Sequence, residues 1–274
     1  NIAVGDHGGG VYAACKDLRF SHNVVQGNEV GRKIGYGWGG GVTIIGKMTR
    51  ARFEKNLLTK NFAASLGSGY FIDDVSQATL SEELIVANVC APEGGSAIFV
   101  DGLDPKKGSR AALSKCTIGE HPCGGAVAGN ALRADQSSSV EIVDSVLWNN
   151  GKKPLSKGKR STITIRGSLV DDKSVTGPGV LHGTPGFVAP KKGDYRLSAP
   201  VGGKKPGVSW EPGAQHSGAS AAKAPPTKPK VVAAGVSPIA TAPKKASADD
   251  CSVAGGGQRS SSLGRKAMSS GPSC

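Results

Sequence analysis

The sequence predicts an all-β fold, a coiled solenoid of short stacked strands, on three observations. A Gly-rich step leading into an apolar strand returns five times, as Gly8-Gly9-Gly10-Val11-Tyr12, Gly39-Gly40-Gly41-Val42-Thr43, Gly67-Ser68-Gly69-Tyr70-Phe71, Gly95-Ser96-Ala97-Ile98-Phe99 and Gly124-Gly125-Ala126-Val127-Ala128. From Gly10 to Gly41, Gly69, Ala97 and Ala126 the intervals are 31, 28, 28 and 29 residues, the mark of one unit repeated and stacked. A second strand follows each step at a similar phase, and no segment carries a sustained 3.6-residue apolar period with a helix cap.

The second strand reads as an apolar residue, a small or polar one three later, and another apolar after that. The series is Phe20-Asn23-Val24, Phe53-Asn56-Leu57, Leu80-Glu83-Leu84, Leu113-Cys116-Ile118, Ile142-Ser145-Val146 and Ile165-Ser168-Leu169. Gly, Asn, Lys and Asp lie between, suited to corners with φ > 0 that β-branched residues avoid. Asn28, Asn61 and Asn88 each stand eight positions after Phe20, Phe53 and Leu80, which predicts an internal ladder of stacked amides.

On these residues the chain resembles the right-handed parallel β-helix family, the pectate-lyase-like superfamily of secreted bacterial proteins, over about residues 8 to 200. The resemblance implies right-handed coils, an extracellular or cell-surface location and, in some members, action on polysaccharide. Thr184-Pro185-Gly186-Phe187-Val188 with Gly193-Asp194-Tyr195-Arg196-Leu197 is similar to the segment that closes the last coil in many members.

Composition agrees. Forty-one Gly with 5% aromatic residues suits a turn-rich solenoid that grows by adding coils. No run of about 20 apolar residues offers a transmembrane span. The start at Asn1 without Met reads as a processed N-terminus or a fragment. From residue 204 onward ten Lys or Arg face three acids, so that part carries +7 and the body +6 of the total +13. Those lysines sit among Ala and Pro as a solvated linker and not as a groove with interleaved aromatics, so nucleic acid is not the expected partner. Acidic polysaccharide or cell-envelope glycan is, and the protein is expected to be monomeric.

The organisation expected is a β-helix with its closing segment over residues 1–200 and a tail over 201–274. The tail is poor in apolar residues and, from Ser217 to Cys274, is expected to be disordered. Within it, Asp249-Asp250-Cys251-Ser252-Val253-Ala254-Gly255-Gly256-Gly257 followed by Ser260-Ser261-Ser262-Leu263-Gly264 resembles the start of the C-terminal sorting signal of myxobacterial surface proteins. In that signal a Cys, here matched by Cys251, is the site of processing and anchoring. The run from Arg265 to Cys274 departs from it by lacking an apolar helix. The other reading is a Cys that happens to lie in a Gly/Ser tail.

Six cysteines contain no CxxC pair, so no zinc site is expected. Cys90 is ten after Leu80 and Cys123 ten after Leu113. Neighbouring coils lie ~4.8 Å apart, within disulfide reach, so the pair is read as a bridge or as two buried thiols.

Catalytic signals are sparse. Asp73, Asp101 and Asn130 each fall four after the third residue of their step, with Asp74 beside the first, and predict a column on one flank. Stacked carboxylates persist with a cation, a shared proton or solvent screening. The resemblance implies two chemistries for such a column: calcium-assisted lysis with Arg110 or Arg133 as base, or hydrolysis by paired acids. The alternative is that these acids accept turn N–H bonds. Calcium enters only with the lyase reading, and no other cofactor is expected. Tyr36 and Trp38, with Trp148 as a further candidate, would either stack on sugar rings or pack on a neighbouring coil. The function expected is contact with carbohydrate or adhesion without catalysis; the alternative is a polysaccharide lyase or hydrolase.

Overall fold

A computed structural model describes residues 1–47, 49–90, 96–104, 106–121, 130–210 and 253–255. The chain winds through four sheets of parallel strands. Sheet I stacks Val11–Ala13, Val42–Ile45, Tyr70–Asp73, Ile98–Val100, Leu132–Ala134 and Leu155–Lys157. Sheet II stacks Asp17–Ser21, Arg50–Glu54, Gln77–Ser81, Arg110–Ser114, Ser139–Val143 and Thr162–Arg166. Sheet III runs from Val24–Gln26 to Leu181–His182, and the short sheet IV from Ile2–Ala3 to Val89–Cys90.

The register agrees with the second-strand phase at its anchor: Phe20, Phe53, Leu80, Leu113, Ile142 and Ile165 pair in one column. The apolar residue that follows is displaced at one coil, where Thr117 and not Ile118 pairs with Leu84. Because side chains alternate along a strand, Ala51 and Phe53, or Ala78 and Leu80, point inward and are buried while their neighbours face out. Phe53 is closed on from both sides, by Phe20 at 5.4 Å between ring centroids and by Tyr70 at 5.3 Å. Cutting it to Ala would cost roughly 3–5 kcal/mol.

Two corners in each coil are turned by single residues in the left-handed region. His22, Lys55, Glu82, Lys115 and Asp144 turn the chain from sheet II to sheet III, with φ between 46° and 60°. Lys60, Ala87, Glu120 and Asn149 do so beyond sheet III, with φ between 53° and 58°. Non-Gly residues reach this region at a cost, offset here by the ladder that starts at the next position. The Asn28 backbone N–H donates to Asn61 Oδ1 at 3.0 Å, and that of Asn61 to Asn88 Oδ1 at 3.1 Å. Side-chain amides repeat both links, so the predicted ladder is present. It continues beyond the asparagines, because Asn88 N–H donates to His121 Nδ1 at 3.2 Å. A second ladder occupies the other corner, where Asn23 N–H donates to Asn56 Oδ1 and Asn56 N–H to Glu83 Oε1.

The register departs from the expected period after the fourth step. Ile98 pairs with Leu132, so the coil that follows Ala97 begins at Ala131 and not at Ala126. The step Gly124 to Ala128 lies outside the described residues.

The closing segment forms an antiparallel hairpin, Phe187–Ala189 with Asp194–Leu197. Phe187 meets Trp148 and Tyr195 edge-on, and Tyr195 donates to Glu120 Oε2 at 2.7 Å. Trp148 therefore packs beneath the closing segment and does not join Tyr36 and Trp38. Packing runs past residue 200: Val208 is buried, its N–H donates to Thr117 Oγ1, and Trp210 Nε1 donates to the Glu82 carbonyl. Within the tail expected to be without structure, the strand Val253–Gly255 lies antiparallel against Val11–Ala13.

Candidate functional site

The outer face of sheet I carries two parallel columns, because positions two apart on a strand share a face. One column reads Tyr12, Thr43, Phe71, Phe99 and Arg133. The other holds Ile45, Asp73, Asp101 and Asp135, each two positions further along its strand. An aromatic ring thus stands beside a carboxylate on two successive rungs, Phe71 with Asp73 and Phe99 with Asp101.

The aromatic column is extended by residues that lie over its start. His7 stacks on Trp38 at 5.0 Å with 27° between planes, Trp38 lies 6.4 Å from Phe71, and Phe71 lies 6.1 Å from Phe99. The Arg133 guanidinium sits 5.8 Å from the Phe99 centroid, in cation–π range. Phe71 and Phe99 are buried, Trp38 is half-buried, and Tyr36, 5.9 Å from Trp38, is 50% exposed. Trp38 therefore packs against the neighbouring coil, and Tyr36 presents a ring to solvent.

Each carboxylate of the second column is bound by the turn that follows it. Asp73 Oδ1 accepts from Asp74 N–H at 2.6 Å, Asp101 Oδ1 from Gly102 N–H at 2.9 Å, and Asp135 Oδ1 from Gln136 N–H at 2.9 Å. The second oxygens of the last two are engaged too, Asp101 Oδ2 by Gln136 Nε2 at 3.3 Å and Asp135 Oδ2 by Arg133 at 2.9 Å. Burial holds the Asp101 carboxyl above its ordinary range, against the Gly102 N–H bond that lowers it, with nearby Asp135 adding to the rise.

The structure brings Asp73, Asp74, Asp101 and Arg133 to this face and places the other candidates elsewhere. Asn130 aligns with Ser96, since Ala97 N–H donates to its carbonyl as Ser68 N–H does to that of Ser96. The third acid of the column is Asp135 because the extra residues before Asn130 displace the period. Its signal was in the sequence: Arg133-Ala134-Asp135 repeats the outward, inward, acid order of Phe71-Ile72-Asp73 and Phe99-Val100-Asp101. Arg110 lies on the outer face of sheet II, lining a recess of about 260 Å³ with Gln77, Thr79, Ala112, Ser139 and Glu141. It is not paired with the acids of sheet I. Cys123, Cys251 and the Cys90 side chain lie outside the described residues, although the Cys90 backbone pairs with Ala63 as the phase requires. Cys116 is buried and free, and Cys15 is disulfide-bonded.

Among the described residues no group of three or more His, Cys, Asp or Glu side chains converges as a metal site. Calcium takes six to eight oxygen ligands, and the acids of this face do not converge as such a set among the described residues. No helix among those residues is long and apolar enough to cross a membrane. No protein-family model, curated protein or solved structure matches the chain.

Proposed function

We propose that this protein is a secreted or cell-surface β-solenoid that contacts carbohydrate through the outer face of sheet I and does not catalyse its cleavage. The observation that carries this reading is the bonding of Asp73, Asp101 and Asp135 to their own turn N–H groups. A lyase needs a free base and a cation-binding acid pair, and a hydrolase needs a carboxylate open to water. Here Arg133 is committed to Asp135, and the acids act as turn fasteners.

What supports sugar contact is the exposed Tyr36 ring beside Trp38, from which the ring contacts run on to Phe71 and Phe99 on the strands that lead to Asp73 and Asp101. An apolar ring face with a few fixed polar groups at its margin is the usual composition of a small-ligand site. The partner class is an acidic polysaccharide or cell-envelope glycan, in keeping with a net charge of +13. The one observation on the side of hydrolysis is the Asp101 carboxyl, raised by burial beside Asp135.

A panel of acidic polysaccharides, assayed for unsaturated product and for new reducing ends with and without calcium, separates the two. Retention of polymer with neither product is expected. Product that disappears in Asp101→Asn would establish the hydrolase reading instead.

A further inference from the structure

The outer face of sheet II gathers four arginines. Arg50 and Arg52 stand two apart on one strand and so share that face. Arg19 pairs with Arg52 on the neighbouring strand, and Arg50 is followed in its own column by Gln77 and then Arg110. All four side chains are exposed. Rungs lie ~4.8 Å apart, so Arg19 and Arg52 leave the sheet side by side, while Arg50 and Arg110 flank the Gln77 amide.

For the chain alone this arrangement is unfavourable, because like charges on neighbouring strands repel. Elsewhere the protein relieves its arginines with carboxylates: Arg32, Arg133, Arg166 and Arg196 are each held by one at 2.6 to 3.1 Å. Among the described residues Arg19, Arg50, Arg52 and Arg110 form no such pair, although Asp17 is the neighbour of Arg50 in its column. From these outward arginines without carboxylate partners, we propose that the outer face of sheet II is a docking surface for a sulfated polysaccharide. The polymer lies along the solenoid axis with its sulfate esters on the arginines.

The neighbouring side chains favour this occupant. A sulfate ester offers three oxygens, enough to accept from two guanidinium forks at once, whereas a carboxylate's two oxygens are taken by a single fork. Gln77 and Thr79 lie exposed on the rung between Arg52 and Arg110, with groups that can bond ring hydroxyls. The small Ala112 side chain opens the recess of about 260 Å³ beside them. On the rungs that carry the arginines no outward side chain is aromatic and no apolar one is larger than Ala112. Single-stranded nucleic acid lacks its stacking platform there, and a lipid surface lacks its apolar anchor. None of these residues lies on the outer face of sheet I, so this second contact stands independently of the first.

The test is the affinity of the full-length chain for dextran sulfate, compared with unsulfated dextran, polygalacturonate and single-stranded DNA. One variant combines Arg19→Gln, Arg50→Gln, Arg52→Gln and Arg110→Gln. A second combines Lys152→Gln, Lys173→Gln, Lys191→Gln and Lys192→Gln, which removes the same charge from exposed positions outside sheet II. The parent is expected to bind dextran sulfate more tightly than polygalacturonate and to ignore unsulfated dextran. The arginine variant should bind dextran sulfate roughly tenfold or more weakly, for four lost charge-assisted contacts. The lysine variant should stay within about twofold of the parent at physiological salt, where distant charges are screened. The arginine variant should also melt no lower than the parent, because the repulsion between neighbouring arginines is gone. Should the fourfold change impair folding, Arg52→Gln alone decides, with a loss of about threefold expected and an unchanged affinity overturning the site. Equal losses in the two fourfold variants would overturn it too, leaving net charge as the cause. Polygalacturonate bound as tightly as dextran sulfate would overturn the choice of sulfate, and tighter binding of single-stranded DNA would make nucleic acid the occupant instead. Tyr36→Ala should leave dextran sulfate binding unchanged, which separates a failure here from a failure of the sheet I contact.

Discussion

The Tyr70 hydroxyl donates to Glu83 Oε2 at 2.5 Å across the interior of one coil, between two side chains with no exposed surface. Tyr70 is the inward residue of its strand, and its hydroxyl would be costly to bury alone. Glu83 occupies the ladder place that Asn56 holds one coil earlier, and its other oxygen accepts both the N–H and the amide of Asn56. Burial pushes the Glu83 carboxyl from 4.5 up to about 8, against the Tyr70 and Asn56 bonds that lower it.

The folded chain therefore keeps the Glu83 proton at pH values where the unfolded chain has released it, so Glu83 favours folding below pH 4.5 and progressively less up to pH 8. Glu83→Gln keeps the shape and removes the titration. Denaturant unfolding of the variant should lose the stability decline between pH 4.5 and 8. At the upper end of that range it should exceed the parent by a few kcal/mol, because each tenfold difference in proton affinity between folded and unfolded chains is worth roughly 1.4 kcal/mol. An unchanged pH profile would show that Glu83 is solvated.

His121 predicts the opposite trend. Burial lowers its imidazole from 6.5 to about 4, against the bonds to Asn88 and Ile85 that raise it. Neutral His121 accepts from Asn88 N–H, and acid forces a proton onto a buried ring. Its contribution is complete above pH 6.5 and fades toward pH 4. His121→Asn should extend the asparagine ladder at little cost near neutral pH and flatten the acid limb. His121→Ala leaves the Asn88 N–H without its acceptor and should cost about 1–3 kcal/mol in denaturant unfolding.

Asn61 is the centre of its ladder. It accepts from Asn28 twice and donates to Val25 and Asn88. Asn61→Ala strands partners on two neighbouring coils and should cost roughly 2–4 kcal/mol. Asn23→Ala, at the more exposed end of the second ladder, should cost under about 1 kcal/mol. Equal losses at the two positions in thermal unfolding would argue against coil-to-coil ladders as a source of stability.

The fold was legible because its determinants are local and recur. A glycine step, an inward apolar pair and an amide at the corner return together on the first coils, so Phe20, Phe53 and Leu80 announced their stacking. The fourth interval was misread for an equally local reason. Gly124-Gly125-Ala126 imitates the step, and only strand pairing shows that Leu132 meets Ile98. Tyr70 as an interior residue was not legible, because its partner Glu83 lies 13 positions away and reads alone as a solvated acid. At the site, Asp73 and Asp101 were found by phase, Asp135 was missed because the longer interval after Ala97 displaced the count to Asn130, and the aromatic row needed the return of the chain from His7 to Trp38.

Sheet I, on this reading, is a face that holds sugar without cutting it. Calorimetric titration of an acidic oligosaccharide into the protein and into Tyr36→Ala, with mass analysis of the sugar recovered, tests that directly. Saturable binding is expected, weakened about fivefold in Tyr36→Ala for the loss of about 1 kcal/mol of stacking, with the sugar recovered intact. Equal affinity in the two proteins, or shortened sugar in the parent sample, would contradict it.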